Sequence, residues 1–363
     1  MTPSTQPPPT ATARPPSRAS ARRPAAGLAL LLPLCACADW GVRPMFPEAA
    51  ARQPVVQEQA LLGLSPAGDA AAAQMLLAEG EPPQLSLLVL DRGGGPGRLV
   101  LVAPPEAARA VAGELLRDGK RLLPLLAPAV AREWPEALAT AGSLGFARAA
   151  PAVPEPGRRR WPITGATGLQ LALRLSELEG PPPAVGLLLT ELPGGQPGGA
   201  EEVELCRMPL AGEVVSPRLW LAGRTAWLLA GSVRGGTSAE ALHRTVGLRR
   251  GDLLRAEAGL HNLHGLSDYG QGDLDAAGRE FARALAADDR FVDALYNAAS
   301  VAALADRTDE AIDLLRRAVA EDPRRVQVLA RDDDDLKGLR RRADVRALLG
   351  LRRLPPADRE PPR

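Results

Sequence analysis

Two related stretches in the C-terminal third of the chain decide its local fold: "GDLDAAGREFARALAADD" at residues 272–289 and "DRTDEAIDLLRRAVAEDP" at residues 306–323. The second stretch begins 34 residues after the first, and this shift is the repeat period. At this shift, small and large apolar residues match: Ala277 with Ala311, Phe281 with Leu315, and Ala284 with Ala318. Apolar residues at three- and four-residue spacing predict amphipathic helices. The alanines would let a paired helix approach, and the larger side chain would fill the gap between them.

This period, with its small–large–small pattern, resembles the tetratricopeptide repeat (TPR) family, in which each repeat is a pair of helices. The resemblance covers residues 251–325 and implies two repeats. It also implies a set of packing and turn positions: Gly265, Gly272, Ala277, Phe281, Ala284, Ala299, Ala311, Leu315, Ala318 and Pro323. Arrays of this family bind extended peptides or helices in a concave groove. We therefore expect a protein or peptide partner in a short groove.

Three residues depart from the pattern of the family. His261 stands where an aromatic residue is common, Asp289 replaces the usual proline, and Asp306 replaces the turn glycine.

Residues 326–350 read as polar-faced capping helices, which a terminal repeat needs for solubility. We expect the acidic run Asp332–Asp335 at a helix N-terminus, where the helix dipole favours negative charge. Residues 351–363 are expected to form a disordered tail.

The middle of the chain is predicted to be β-rich, so the predicted fold class is α+β. Runs bounded by Gly or Pro predict six strands, at residues 84–91, 97–104, 184–192, 201–208, 218–223 and 225–233. A single shift aligns Gly80 to Gly95 with Gly180 to Gly195, including both Pro pairs and both Gly pairs. We infer a duplicated unit of helix, Pro-Pro, strand, Gly-Gly, strand. The units are assigned to residues 55–150, which also carry helices, and 151–250.

Three features of these units carry further predictions. Residues 104–119 read as a helix with proline at its start and Gly119 at its end. Strict alternation would place Val203 and Leu205 on one face of a strand and Cys206 with Met208 on the other. Cys206 is expected to have a structural role. Trp220 and Trp227 are expected in the core, with ligand stacking as the alternative.

The N-terminus has the form of an export signal. Four arginines and no acidic residue occur in residues 1–24, and the apolar run "AAGLALLLPL" follows at 25–34. That run is too short to span a bilayer as a helix and has the length of a signal-peptide core. Residues 1–36 are therefore predicted as a signal peptide and 37–54 as a tether.

The segment from Leu34 to Cys37 resembles a bacterial lipobox. The resemblance implies that Cys37 is lipidated and becomes the new N-terminus. The residue after it is alanine, so the family's sorting rule points to the outer membrane, facing the periplasm. Cleavage after Ala38 with release of a soluble protein is one alternative, and an uncleaved N-terminus is another. The C-x-C spacing gives little support to a metal or redox site.

We found no catalytic motif in the sequence. His261 and His264 are spaced to share a metal ion on a helix, but no nearby Cys or Glu completes the set, so structural roles are expected. The Gly-rich stretches lack the G-K-[ST] of a phosphate loop, and no G-x-S-x-G is present. We predict a non-enzymatic protein without a cofactor or a metal ion.

The leading functional hypothesis is an exported, lipid-anchored scaffold that binds a partner through the TPR groove. The alternative is a ligand- or glycan-binding β module braced by the helices. A net charge of +1 gives no bulk attraction to nucleic acid. The oligomeric state is left open.

Overall fold

The computed structural model describes residues 54–92, 97–156, 158–178, 183–192, 201–235 and 242–351. Within these residues the fold is α+β, with a large mixed sheet, a four-stranded sheet and a series of helices. The predicted signal peptide, the lipobox cysteine Cys37 and the tether up to residue 53 lie outside the described residues. So do residues 352–363 of the predicted tail.

The large sheet combines strands from both ranges predicted as repeat units. Its strands are β1 (Pro54–Leu64), β2 (Ala70–Ala78), β3 (Gln84–Leu90), β4 (Arg98–Val102), β9 (Glu213–Val214), β10 (Arg218–Ala222), β11 (Thr225–Arg234) and β12 (His243–Asp252). The strand order is β10-β11-β12-β1-β2-β3-β4, with β9 paired to β11. Strands β1 and β12 pair in parallel, whereas the other pairs in this sheet are antiparallel.

The second sheet is an antiparallel meander. Its strands are β5 (Arg160–Thr164), β6 (Gln170–Leu178), β7 (Ala184–Glu191) and β8 (Glu202–Pro209). All six strands predicted from the sequence are present, and their ends lie close to the predicted ones.

The segments upstream of the Pro pairs form strands, so the predicted helices there are wrong. They correspond to β2 and β6. In β2, Ala71 and Ala73 belong to one core cluster, whereas Ala70 and Ala72 belong to another on the opposite face. Alanine favours a helix in isolation. Here β2 pairs on both sides and is buried on both faces, and that packing outweighs the local preference.

The shift that relates the two predicted units also holds in three dimensions. Strands β2 and β6 have the same bounds after the shift. The turns before them contain Gly68 and Gly168, whose φ angles are 95° and 84°. These are left-handed values that glycine adopts readily. Each glycine amide donates to the carbonyl three residues earlier, on Ser65 and Gly165 respectively.

Three helices cover one face of the large sheet: α1 (Pro105–Asp118), α2 (Leu126–Glu133) and α3 (Pro135–Ser143). The first confirms the helix predicted at 104–119. Together with β1, β2 and β3 they enclose an apolar core in which Trp134 is fully buried.

A buried ion pair joins this sheet to the segment between α1 and α2. Arg244 of β12 donates from Nε to Glu58 of β1 at 2.5 Å, and both side chains are 0% exposed. The rest of the guanidinium donates to the carbonyl oxygens of Gly119, Arg121 and Leu123. The other oxygen of Glu58 accepts from two amides at the start of α2. Both charges are therefore fully hydrogen-bonded, as buried charges must be.

The C-terminal region is helical. Its helices are α4 (Leu253–Gln271), α5 (Leu274–Ala287), α6 (Val292–Leu304), α7 (Thr308–Glu321), α8 (Pro323–Ala330) and α9 (Ala343–Leu348). Helix α7 begins and ends one repeat period after α5. Gly272 and Asp306, also one period apart, both adopt a left-handed conformation, with φ of 85° and 59°. Asp is one of the few other residues that tolerate it.

The acidic run Asp332–Asp335 does not begin a helix, contrary to the prediction. It follows the end of α8 in a series of turns before the short 3₁₀ helix Leu339–Arg341. The helix dipole therefore does not stabilise it, and its side chains are held by other contacts. Among the described residues, no helix has the length and apolar character needed to cross a membrane.

The predicted division of faces in β8 is also wrong. Val203, Leu205, Cys206 and Met208 all join one core cluster. The register between β7 and β8 shifts at Leu187/Leu188, so the extra residue of a β-bulge turns Cys206 to the same side as Leu205. Cys206 is buried, as its expected structural role requires, and forms no disulfide within the described chain.

Candidate functional site

Helices α4 and α6 share a face that carries polar and aromatic side chains. Tyr269 and Asn262 lie on α4, and Tyr296 and Ser300 lie on α6. We call these four residues the α4–α6 face. A hydrogen bond of 2.9 Å from Asn297 Nδ2 to Asn262 Oδ1 links the two helices.

The acidic run of the same chain lies against this face. The Tyr296 hydroxyl donates to Asp333 Oδ2 at 2.5 Å, and the Tyr269 hydroxyl donates to Asp335 Oδ2 at 2.6 Å. Ser300 Oγ approaches Asp333 at 3.5 Å. Leu336, directly after the run, is fully buried in the core of α6, α7 and α8. The α4–α6 face therefore binds an acidic segment, which is supplied by the chain itself.

The segment is held from its other side by arginine. Arg340 donates to the carbonyl oxygens of Arg331 and Asp333. The amide of Asp335 donates to Asp333 Oδ1 at 2.9 Å, which fixes the local turn.

Burial and like charge perturb the ionisable groups of this contact. Burial raises the pKa of Asp335, and the neighbouring charges of Asp333 and Asp334 add to this, against the hydrogen bond from Tyr269. Burial and the bonded aspartates raise the pKa of Tyr269 and Tyr296 well above the ordinary tyrosine value. Both hydroxyls therefore remain protonated donors at neutral pH.

A cavity of about 640 Å³ opens beside the acidic segment. Its lining is strongly basic, with five cationic side chains: Arg331, Lys337, Arg340, Arg341 and Arg346. Asp334 is the acidic residue in the lining. This end of the helical region therefore presents positive charge next to a face that accepts carboxylates.

A second polar cluster lies where α4 meets the turn between β5 and β6. Glu257 accepts the amides of Ala166 and Thr167 at 2.7 and 2.8 Å, and the Thr167 hydroxyl at 2.5 Å. Thr167 Oγ1 also lies 3.1 Å from His261 Nε2. Because the threonine proton is directed to Glu257, we assign the hydrogen on Nε2 as the donor to Thr167. The Gly-rich stretch "GATG" at residues 165–168 is thus a turn tied to α4.

Histidines and carboxylates extend this cluster towards α5 and the edge of the four-stranded sheet. His261 Nδ1 lies 2.8 Å from Glu280 Oε2. His264 Nε2 lies 3.7 Å from Glu191 and 3.6 Å from Glu201. Burial raises the pKa of Glu201, partly offset by His264. Burial also acts to raise the pKa of Glu280, but the His261 hydrogen bond and Arg283 outweigh it, and the net shift is downward.

The sequence-based expectation that no Glu completes the histidine pair is wrong. Glu280 lies on the neighbouring helix, well separated from His264 along the chain, and comes close because α4 and α5 form a hairpin. Folding the predicted helix pair back on itself would have found it.

Eight of the ten residues predicted as packing and turn positions lie in the interior of the helical region. Seven of them are at most 1% exposed: Ala277, Phe281, Ala284, Ala299, Ala311, Leu315 and Ala318. A Cβ at Gly265 would meet the Phe281 ring at 2.5 Å, so the ring lies directly on this glycine. Pro323 is the first residue of α8, and Gly272 ends α4. The buried alanines, Phe281 and Leu315 belong to three apolar clusters of the helical region, whereas Gly272 and Pro323 are exposed at helix ends.

The two tryptophans of the large sheet are core residues, as expected. Trp220 and Trp227 are opposite each other on β10 and β11 and are 5% and 3% exposed. Their indole nitrogens donate to the carbonyls of Ala149 and Gly68. They are not available for stacking on a ligand.

Comparisons with known proteins find no matching family model, curated protein or solved structure.

Proposed function

We propose that this protein is a non-enzymatic scaffold of the cell envelope whose helical region is a short TPR-like array. The array binds an acidic segment of a protein partner on the α4–α6 face. The observation that carries the proposal is the docking of the chain's own acidic run through the hydroxyls of Tyr269 and Tyr296. In this view the run occupies the face until a partner replaces it.

The charge around the face supports an acidic partner. The cavity next to the docked run is lined by five basic side chains. Of these, Arg331, Lys337 and Arg341 form no side-chain ion pair or hydrogen bond among the described residues. Unpaired basic groups at the rim of an interface accelerate the association of an acidic partner and favour it over a basic one.

The TPR reading is supported by geometry at several positions. Helix α7 repeats α5 at the repeat period, Gly272 and Asp306 repeat as left-handed turns, and Phe281 and Leu315 repeat as buried large residues. Helix α4 also packs on the four-stranded sheet, because its residues Ala256 and Leu260 belong to the apolar core of that sheet. The array and the β region therefore fold together, and tests should use the whole mature chain.

The docking proposal predicts that removing one contact of the internal segment will increase the affinity for a peptide of the same sequence. The probe is a labelled peptide, "RDDDDLKG", which copies residues 331–338. We expect the Asp333→Ala chain to bind it about tenfold more tightly than the wild type, since one charge-assisted hydrogen bond holding the competitor is worth about 1.5 kcal/mol. Fluorescence anisotropy measures both affinities.

The matched control is Asp332→Ala, which removes the same charge from an exposed neighbour. It should bind the peptide like the wild type. Adding Tyr269→Phe and Tyr296→Phe to Asp333→Ala should remove the gain. Equal affinities for all four chains would contradict the proposal. Co-purification from detergent-solubilised membranes, with Asp333→Ala as bait and the Tyr→Phe chain as control, then identifies the natural partner.

We also propose that lipid on Cys37 anchors the mature chain to the outer membrane, facing the periplasm, and that residues 1–36 are removed. This rests on the basic N-terminus, the short apolar run and the lipobox-like sequence at Leu34 to Cys37. Cys37→Ala is expected to move most of the protein from the membrane fraction to the soluble fraction, because the acyl chains are its anchor. Fractionation and the intact mass of the mature chain measure this, with Cys35→Ala as the control. An unmodified Cys37 in the membrane-bound protein would refute the lipid anchor.

A further inference from the structure

The cluster at the α4–α5 junction has the composition of a transition-metal site. His261, His264 and Glu280 each offer one ligand atom, and these atoms lie within 4.8 Å of one another. His261 and His264 are one helical turn apart on α4, and Glu280 faces them from α5. Two imidazoles with carboxylates form a ligand set that suits Zn²⁺ and related divalent ions.

The surroundings of His261 orient it as a ligand. Its Nε2 hydrogen is donated to Thr167, whose own proton goes to Glu257. The side that carries Nδ1 faces Glu280. Metal-binding histidines commonly donate their second ring nitrogen to such an outer partner, which fixes the ring and its tautomer. The Thr167–Glu257 pair supplies that partner here, and Nδ1, which contacts Glu280 at 2.8 Å, would lose its proton on binding the ion and become the ligand atom.

An unpaired buried oxygen points to the fourth ligand. Glu201 Oε2 is buried and has no hydrogen-bond partner among the described residues. The same atom lies 3.6 Å from His264 Nε2, which is too long for a hydrogen bond. Two ligands of a tetrahedral ion with bonds of about 2.0–2.2 Å are roughly 3.4 Å apart. The separation of Glu201 Oε2 from His264 Nε2 is close to this value. Glu201 lies outside the group of three whose ligand atoms are all within 4.8 Å of one another, so its side chain would turn towards the ion to bind it, and the ion would satisfy the unpaired oxygen.

We infer that His261, His264, Glu280 and Glu201 bind one divalent transition-metal ion, Zn²⁺ by preference, which ties α4 and α5 to the edge of the four-stranded sheet. With four protein ligands the site is closed and its role is structural. His264 and Glu280 are 29% and 14% exposed, so a metal ion can reach them from solvent.

The test is Zn²⁺ binding to the whole mature chain, purified without an affinity tag and stripped with a chelator. Titration against a chromophoric chelator should give one Zn²⁺ per chain. His264→Gln is expected to weaken binding more than the roughly 10- to 100-fold that changes in outer partners cost. This side chain is 29% exposed and forms no hydrogen bond among the described residues, so we expect its replacement to leave the fold intact.

Two controls make the result decisive. His243→Gln changes the histidine outside the cluster and should leave the affinity unchanged. Glu201→Gln should weaken binding and, with Co²⁺ as the probe, alter the visible absorption that reports a tetrahedral site. Substoichiometric Zn²⁺ binding, or equal affinity of the wild type and His264→Gln, would overturn the inference.

Discussion

Replacing Arg244 with methionine is expected to lower the free energy of unfolding by about 3–5 kcal/mol. The change leaves the fully buried Glu58 carboxylate without its cation and three carbonyl oxygens without their donor. Breaking a buried pair is costly because the remaining charge cannot return to water in the folded state. Denaturant unfolding followed by tryptophan fluorescence measures the effect, since Trp220 and Trp227 lie in the same sheet.

The matched control for this change is Arg174→Met. Arg174 forms a bidentate pair with Glu202, but it is 41% exposed. Exposed pairs contribute at most about 1 kcal/mol. A loss at Arg244 no larger than the loss at Arg174 would show that the buried pair does not hold the segment between α1 and α2 in place.

Replacing Phe281 with alanine is expected to cost about 3–5 kcal/mol of unfolding free energy. Phe281 is 1% exposed and packs with Ala277 and Val301. Its ring lies directly on Gly265, so its loss would leave a cavity between α4 and α5. Tyr269 packs against the same cluster, so we expect the α4–α6 face to loosen as well. Denaturant unfolding followed by circular dichroism of the helices measures the loss.

The control lies on the same helix. Gly278→Ala places its Cβ at ordinary contact distance, 3.7 Å from Val301, and should gain up to about 1 kcal/mol from helix propensity. Phe281→Leu should cost clearly less than Phe281→Ala and provides a folded variant if the alanine chain does not fold. If Phe281→Ala were as stable as the wild type, the ring would not be the central contact between α4 and α5.

The strands and helices that the sequence predicts well are those whose pattern is complete within one element. Helix α1, the six predicted strands and the repeat of α5 at α7 are of this kind, because a 2- or 3.6-residue period requires no knowledge of the partner. The predictions fail where the conformation depends on a neighbouring strand. Strand β2 is helix-like in composition and becomes a strand between β1 and β3. Cys206 changes sides because of a bulge in the pairing with β7.

The candidate sites show the same division. The sequence shows the spacing of His261 and His264. Glu280 comes close to them only because α4 and α5 form a hairpin. Glu201 comes close to His264 only because α4 packs on the four-stranded sheet. The acidic run is obvious in the sequence. Its attachment to Tyr269 and Tyr296, 66 and 37 residues away, is not.

The sequence by itself determined the repeat of α5 at α7 and the six predicted strands, since each pattern lies within a single element. The tertiary structure alone decided that β1 pairs in parallel with β12 and that Glu58 meets Arg244 across 186 residues. It also decided that the acidic run covers the α4–α6 face. These contacts depend on which apolar faces and charges can be buried together. A residue pattern within one strand or helix carries no information about which distant element it will pack against.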